Sequence, residues 1–254
     1  MRVSAIIEAR MGSTRFPGKV MQVIDGWPML AIMIQRVMAA QMVDTVIVAT
    51  PEGEENAPIW DFIKNAPPVR LVKGPENDVL SRVLKAGRET KTDVIVELTG
   101  DCPLIDPWII DLCAGYYICG DWDFVGNCQP RTWPKGMDVR VFATETLARA
   151  NREVAGHPRE AYWREHVSPW MYERTDAAYL TRNLESPEDE RVPDLNLSVD
   201  TPEDFRRVKD IVETLRPGNP IFLTKDILTY LARLPGYENL SGPSQVERVA
   251  GWLQ

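Results

Sequence analysis

"AIIEARMGSTRFPGK", Ala5 to Lys19, runs a short apolar stretch directly into a segment with three positive charges and two glycines. Val3–Glu8 reads as a short buried strand. The chain then changes character: Arg10, Arg15 and Lys19 fall within ten residues, around Gly12 and Ser13. Backbone N–H groups at Gly12 and Ser13 can turn inward on an anion. The two arginines offer bidentate forks and Lys19 a point charge. The spacing is neither G-x-x-x-x-G-K-[ST] nor G-x-G-x-x-G, which disfavours a Walker loop and a dinucleotide fold. A solvated surface turn at Pro17–Gly18 suits the same residues, and spacing alone leaves both open.

Outward from this loop, Thr45–Thr50, Val69–Val72 and Asp93–Leu98 read as further strands. Helical stretches cover Pro28–Gln41, Asn77–Glu89 and Pro107–Cys119. The first is apolar nearly all round, which predicts deep burial or an interface. This alternation specifies an α/β fold, a mostly parallel sheet with helices on both faces. From Trp122 to about Leu184 the alternation breaks. Asp123–Gly126 and Asp138–Phe142 read as strands, and Thr144–Glu153 and Arg159–Arg174 as helices. We expect one domain over residues 1–254 with an insertion at about 126–184. A strand near Leu195–Val199, a helix to about Leu215 and a helix over Ile221–Leu234 follow, then a loop and a short helix beyond Gly236.

The net charge of -8 argues against a surface that neutralises nucleic-acid phosphates, so the basic residues that matter belong to a local site. No apolar run approaches the ~18 residues of a membrane span, which points to a cytoplasmic protein with no membrane partner. Cys102, Cys113, Cys119 and Cys128 form no C-x-x-C pair, and with two histidines a structural zinc site is disfavoured. They read as reduced, mostly buried thiols.

In open α/β sheets ligands bind beyond the carboxyl ends of the strands. That selects the loop after Glu8, the turn after Leu98 and the turn after Val199. In "VIVELTGDCPLIDP", Asp106 is placed to cap the helix that opens at Pro107, which leaves Asp101 free. In "LSVDTPEDF", Thr201, Pro202 and Asp204 make a helix start, and Asp200 precedes the cap. Two carboxylates at different strand ends suit Mg²⁺ held partly through substrate phosphates.

"AIIEARMGSTRFPGKVM" resembles the N-terminal signature of the sugar cytidylyltransferases, the CMP-KDO and CMP-sialic acid synthetases and most closely the SpsF-type spore-coat enzymes. The resemblance implies a three-layer nucleotidyltransferase fold, Rossmann-like and of the GT-A type. It further implies a loop that wraps the triphosphate of CTP through Ala9, Arg10, Met11, Gly12, Ser13, Arg15 and Lys19. Glu8 stands where the family more often has glutamine or proline. "GDxPL" and the later aspartate carry the family's catalytic metal, which implies Mg²⁺ on Asp101 and Asp200. Lys19, Arg15, Asp101 and Asp200 are then the catalytic set.

"GPENDVLSRV" resembles the SpsF-type pattern and places Asp78 and Arg82 near the base, although an ordinary helix start explains either residue. "PRTWPKGMDVRVF" resembles "PRTxPxGxDVEVF", which makes Arg131 and Asp138 candidates for the acceptor side. Arg140 stands where that pattern is acidic and, with Lys135, fits an anionic acceptor. "REHVSPWMYER" resembles "REHVTPY", so Arg164, Glu165 and His166 are candidates to touch substrate or a partner subunit. The implied activity transfers CMP from CTP to a small anionic sugar-like acceptor, with release of pyrophosphate. The insertion commonly builds a homodimer in the family, here from Gly126–Arg174. Two other functions remain: a glycosyltransferase using a D-x-D pair at Asp121 and Asp123, and a catalytically silent nucleotide-binding homologue.

Overall fold

The computed structural model describes residues 1–237 apart from Pro67 and Thr175. The expected short C-terminal helix lies outside the described residues. Strand β1 (Val3–Glu8) sits mid-sheet, between β4 (Thr45–Pro51) and β6 (Val94–Thr99), with β5 (Arg70–Gly74) beyond β4. These four pair in parallel. Beyond β6 the sheet adds β8 (Arg140–Ala143), β7 (Phe124–Gly126) and β9 (Thr181–Asn183), giving the order β5-β4-β1-β6-β8-β7-β9. Only β8 runs against the others, because it is antiparallel to both β6 and β7 while β7 and β9 are parallel.

Alternation along β1 divides the core into two. Val3, Ala5 and Ile7 face one apolar cluster and Ile6 the other. On the first face lie α1 (Met29–Val37), α2 (Ala57–Lys64), α4 (Pro107–Ile118), α8 (Pro202–Leu215) and α9 (Thr224–Leu231). On the second lie α3 (Val79–Glu89), α5 (Thr144–Glu153), α6 (Glu160–His166) and α7 (Pro169–Tyr172). The result is three layers. A two-residue hairpin, β2 (Val23–Ile24) with β3 (Trp27–Pro28), precedes α1. The all-round apolar helix α1 is deeply buried, including Arg36, whose Nε and Nη2 donate to the carbonyls of Ile105 (2.9 Å) and Phe222 (2.5 Å).

Both expected caps form. Asp106 accepts from Trp108 N at 2.9 Å, and Thr201 and Asp204 make a reciprocal capping box on α8. Three expectations change. Arg159–Arg174 is two helices, because Pro169 cannot continue a helix and Val167 turns at φ 64°. Leu195–Val199 buries Leu195, Leu197 and Val199 as a strand does, yet it is not one. Asn196 Oδ1 takes Ser198 N and Oγ, and a single bridge to Lys135 remains. Cys119 is exposed, whereas Cys102 and Cys113 are buried.

Candidate active site

Connections from β1 lead one way to β4 and β5, and the chain later returns on the other side as β6. That is a topological switch point at the carboxyl ends of β1 and β6. A cleft of about 360 Å³ opens there. Gly100 lets the two strand ends close up: its N–H donates to Glu8 O at 2.8 Å, and a Cβ there would lie 2.6 Å from the same oxygen. The loop after β1 folds back on one carbonyl, since Met11 O accepts from both Ser13 N and Gly18 N at 2.9 Å. Gly18 permits this with φ 68°. Buried Asn56 pins the loop from outside, its Oδ1 accepting from Met11 N at 2.9 Å.

Lys19 ties this loop to both carboxylates. Its Nζ lies 3.2 Å from Asp101 Oδ2, 3.2 Å from Asp200 Oδ1 and 2.6 Å from Val199 O. The Asp200 carboxylate also meets Lys135 at 2.9 Å and Arg15 at 3.1 Å. Burial opposes its charge, but Lys135 and Lys19 hold its carboxyl below the usual range. Although Leu195–Val199 is no strand, Val199 N donates to Asp101 O at 2.8 Å, which brings the two aspartates together. The capping carboxylate of Asp204 accepts from Asp200 N at 3.1 Å and so holds the backbone under Asp200.

The opposite wall comes from the second face of the sheet. Glu8, Val79, Arg82, Glu165 and His166 line it. Glu8 Oε1 is sealed from solvent with no hydrogen-bond partner among the described residues. Burial and the nearby Glu97 carboxyl push the Glu8 pKa well up, which Arg82 and Arg140 offset only in part. Arg164 reaches from α6 to Asp78 Oδ2 at 2.8 Å, and this ion pair sets α6 over the cleft. After His166 the buried Val167 adopts a left-handed φ of 64°, closed by Ser168 N donating to His166 O at 2.9 Å. A β-branched residue there is strained, as backbone at functional sites often is.

A loop with three cations, joined through Lys19 to two carboxylates at a switch point, thus frames one wall of the cleft. A family model described as cytidylyltransferase matches residues 4–227. The chain belongs to the cytidylyltransferase family. It is 32% identical over 239 residues to the spore coat polysaccharide biosynthesis protein SpsF of Bacillus subtilis, covering 91% of this chain and 94% of that protein. Among solved structures, a cytidylyltransferase from Leptospira borgpetersenii aligns with TM-score 0.83 and 29% identity, over 96% of this chain and 98% of the other. A CMP:2-keto-3-deoxy-manno-octonic acid synthetase complexed with CTP shares the fold, with TM-score 0.63 and 18% identity over 84% of this chain and 99% of that one.

In this cytidylyltransferase the cleft gathers Ala9, Arg10, Ser13, Arg15, Lys19, Arg82, Asp101, His166 and Asp200 from the residues expected of it. Met11 and Gly12 are not on its wall; they build the loop behind it. Asp78 is the N-cap of α3, accepting from Ser81 N at 2.9 Å and Ser81 Oγ at 2.7 Å. Arg131, Asp138 and Arg140 are not on the wall either. Arg131 forks onto Asp138, and Arg140 sits between Glu97 (3.5 Å) and Asp138 (3.6 Å). Asp121 and Asp123 precede β7, which runs parallel to β6, so they lie at the amino end of the strands, away from the cleft; there Asp123 Oδ2 accepts from Leu180 N at 2.9 Å. They are turn residues of the cytidylyltransferase and not a metal pair at its cleft. Thr14 and Thr99 line the cleft without having been singled out in the sequence, because a lone threonine carries no distinguishing pattern.

Proposed function

We propose that the protein transfers CMP from CTP to a nucleophilic oxygen of a sugar or sugar-like acceptor and releases pyrophosphate. One observation carries this: Lys19 links the anion-binding loop to the Asp101–Asp200 pair inside a single cleft. The acceptor oxygen attacks the α-phosphorus as the bond to pyrophosphate breaks in line with it. Arg10, Arg15 and Lys19 hold the triphosphate and stabilise charge developing on it. Backbone N–H groups near Ser13 orient the phosphate oxygens.

The donor set fits Mg²⁺. Asp101 and Asp200 present hard oxygens 3.2 Å from one cationic nitrogen, so a positive centre is already accommodated between them. With two carboxylates from the protein, substrate phosphates and water would complete the shell. When bound there, Mg²⁺ supplies Lewis-acid polarisation of a phosphoryl oxygen. With the carboxylates engaged by the ion, Lys19 would offer its charge to the phosphates instead.

Each cation expected to meet an anionic acceptor is engaged by a carboxylate: Arg131 and Arg140 by Asp138 and Glu97, Lys135 by Asp200. The acceptor is therefore proposed by its nucleophilic oxygen and not by its charge, with Glu165 and His166 placed to meet it. No helix among the described residues is long and apolar enough to cross a membrane. We place the reaction in the cytoplasm, where CTP is made, supplying activated sugar for a surface polysaccharide. We further propose a homodimer built on Gly126–Arg174, which a monomer in light scattering at micromolar concentration would contradict. The activity test is pyrophosphate release from CTP and Mg²⁺ across a panel of sugars and sugar acids. Release that depends on both one acceptor and Asp101 supports the function, and acceptor-dependent release from UTP alone refutes it.

A further inference from the structure

The loop from Arg10 to Lys19 turns about one residue. Met11 O accepts from both Ser13 N and Gly18 N at 2.9 Å, so the two sides of the loop take their places from the same carbonyl. Arg10 directly precedes Met11, and Lys19 directly follows Gly18. The N–H of Met11 points out of the loop instead. It donates to Asn56 Oδ1 at 2.9 Å, across 45 positions of chain.

Asn56 stands at the N-cap of α2, where an asparagine ordinarily accepts from the second or third N–H of its own helix. Its side chain makes no such bond. The residue is fully buried, and it is not on the cleft wall. Its amide is aimed: Nδ2 donates to Gly53 O and to Glu55 Oε1, each at 3.2 Å, which turns Oδ1 to the Met11 N–H. A capping residue that leaves its own helix and serves a distant loop breaks a local rule in favour of the site.

We propose that Asn56 is a positioning residue for the triphosphate, an inference that rests on the CTP-dependent function proposed above. From behind the loop it fixes Met11, and Met11 O in turn fixes Ser13 and Gly18. Arg10 and Lys19 are thereby presented to the phosphates at a set spacing before the ligand binds. Without Asn56 the loop has to be ordered during binding, and that ordering is taken out of the affinity.

Calorimetric titration in Mg²⁺ with CTP and with inorganic tripolyphosphate compares the wild type with Asn56→Leu and Asn56→Asp, and Tm is recorded for each. Asn56→Leu removes the acceptor, so both ligands weaken about tenfold, the scale of one hydrogen bond. Asn56→Asp keeps an acceptor for Met11 N but loses both Nδ2 donations and sets a carboxylate beside Glu55. Its Tm therefore falls, while both affinities stay within about threefold of wild type. A residue that served the fold alone would leave the affinity of every folded variant unchanged. A folded Asn56→Leu with wild-type affinity for both ligands overturns the proposal, as does an Asn56→Asp that binds as weakly as the leucine variant. If Asn56→Leu does not fold, Asn56→Ala takes its place with the same expectation. A wild type that binds tripolyphosphate but no CTP overturns the proposed function, and the tripolyphosphate titrations then still decide on Asn56. A wild type that binds neither ligand overturns both.

Discussion

Lys19 Nζ stands 3.2 Å from Asp200 Oδ1, with only 11% of the lysine side chain and 14% of the aspartate exposed. The same ammonium lies 3.2 Å from Asp101 Oδ2, so it bridges two carboxylates that two separate loops deliver. Partly desolvated pairs of this kind gain from their surroundings what surface pairs lose to water. The lysine thereby holds the loop and the two carboxylates together, where the proposed function puts the triphosphate and its cation. Lys19→Met should lower kcat/KM by roughly 10²–10³, the scale of removing one preorganised stabiliser of transition-state charge. Steady-state pyrophosphate release measures it, and a loss below fivefold would show that Lys19 serves structure alone.

Asp204 links the capping of α8 to the backbone of Asp200. Its carboxylate accepts from Asp200 N at 3.1 Å, Thr201 N at 3.0 Å and Asn196 Nδ2 at 3.1 Å. Burial opposes its charge, but the backbone N–H of Asp200 and the Thr201 hydroxyl hold its carboxyl below the usual range. A depressed folded-state pKa contributes stability that is present above the ordinary aspartate range and lost as pH falls through the folded value. Asp204→Ala should cost about 1–2 kcal/mol, a fall in Tm of roughly 2–8 °C at pH 7. The difference from wild type should shrink in acid. Because Asp200 loses its backbone anchor, activity should fall as well, which a purely structural cap would not require.

Glu8 has the opposite sign. Burial and Glu97 raise its carboxyl well above the usual range, with Asp101 adding and Arg82 and Arg140 opposing. The stability tied to its neutral form is complete below the ordinary glutamate value of 4.5 and is lost as pH rises through the folded-state value. Glu8→Gln, neutral at every pH, should therefore raise Tm relative to wild type at pH 8, with the gap closing towards pH 4. Thermal scans across that range check it. An unchanged gap would mean that Glu8 is ionised in the free protein.

Asp123→Ala should leave nucleotide binding and turnover unaltered, because Asp123 meets Leu180 N at the amino end of the strands, away from the cleft. It should cost about 1 kcal/mol, the worth of one hydrogen bond. Loss of activity in a folded Asp123→Ala protein would restore the glycosyltransferase alternative.

Periodicity and caps carried most of the fold. The Val/Ile-rich runs of β1, β4 and β6, Asp106 before Pro107, and Thr201 with Asp204 are local signals, and each acts through neighbours within four residues. The same holds for the loop from Arg10 to Lys19, whose cations and glycine are adjacent in the chain. What stayed hidden is non-local. Arg140 reads as a free cation until β8 sets it opposite Glu97 on β6. Asn56 was not among the expected site residues, and its hold on Met11 N spans 45 positions. Leu195–Val199 has a strand's alternation, yet Asn196 diverts its own backbone partners. Glu8 was conspicuous as a carboxyl beside three cations, and only the structure shows its Oε1 buried without a hydrogen-bond partner among the described residues.

The most direct measurement is a thermal shift of the wild type and Asp101→Asn with CTP, UTP, GTP and ATP, each with and without Mg²⁺. A ligand at about 100 times its dissociation constant stabilises by about 2.7 kcal/mol, a rise of several degrees. CTP with Mg²⁺ should raise the wild-type midpoint most, and Asp101→Asn should lose the metal's contribution while keeping its fold. No shift with any nucleotide would reduce the Arg10–Lys19 loop to a surface turn and contradict the proposed function.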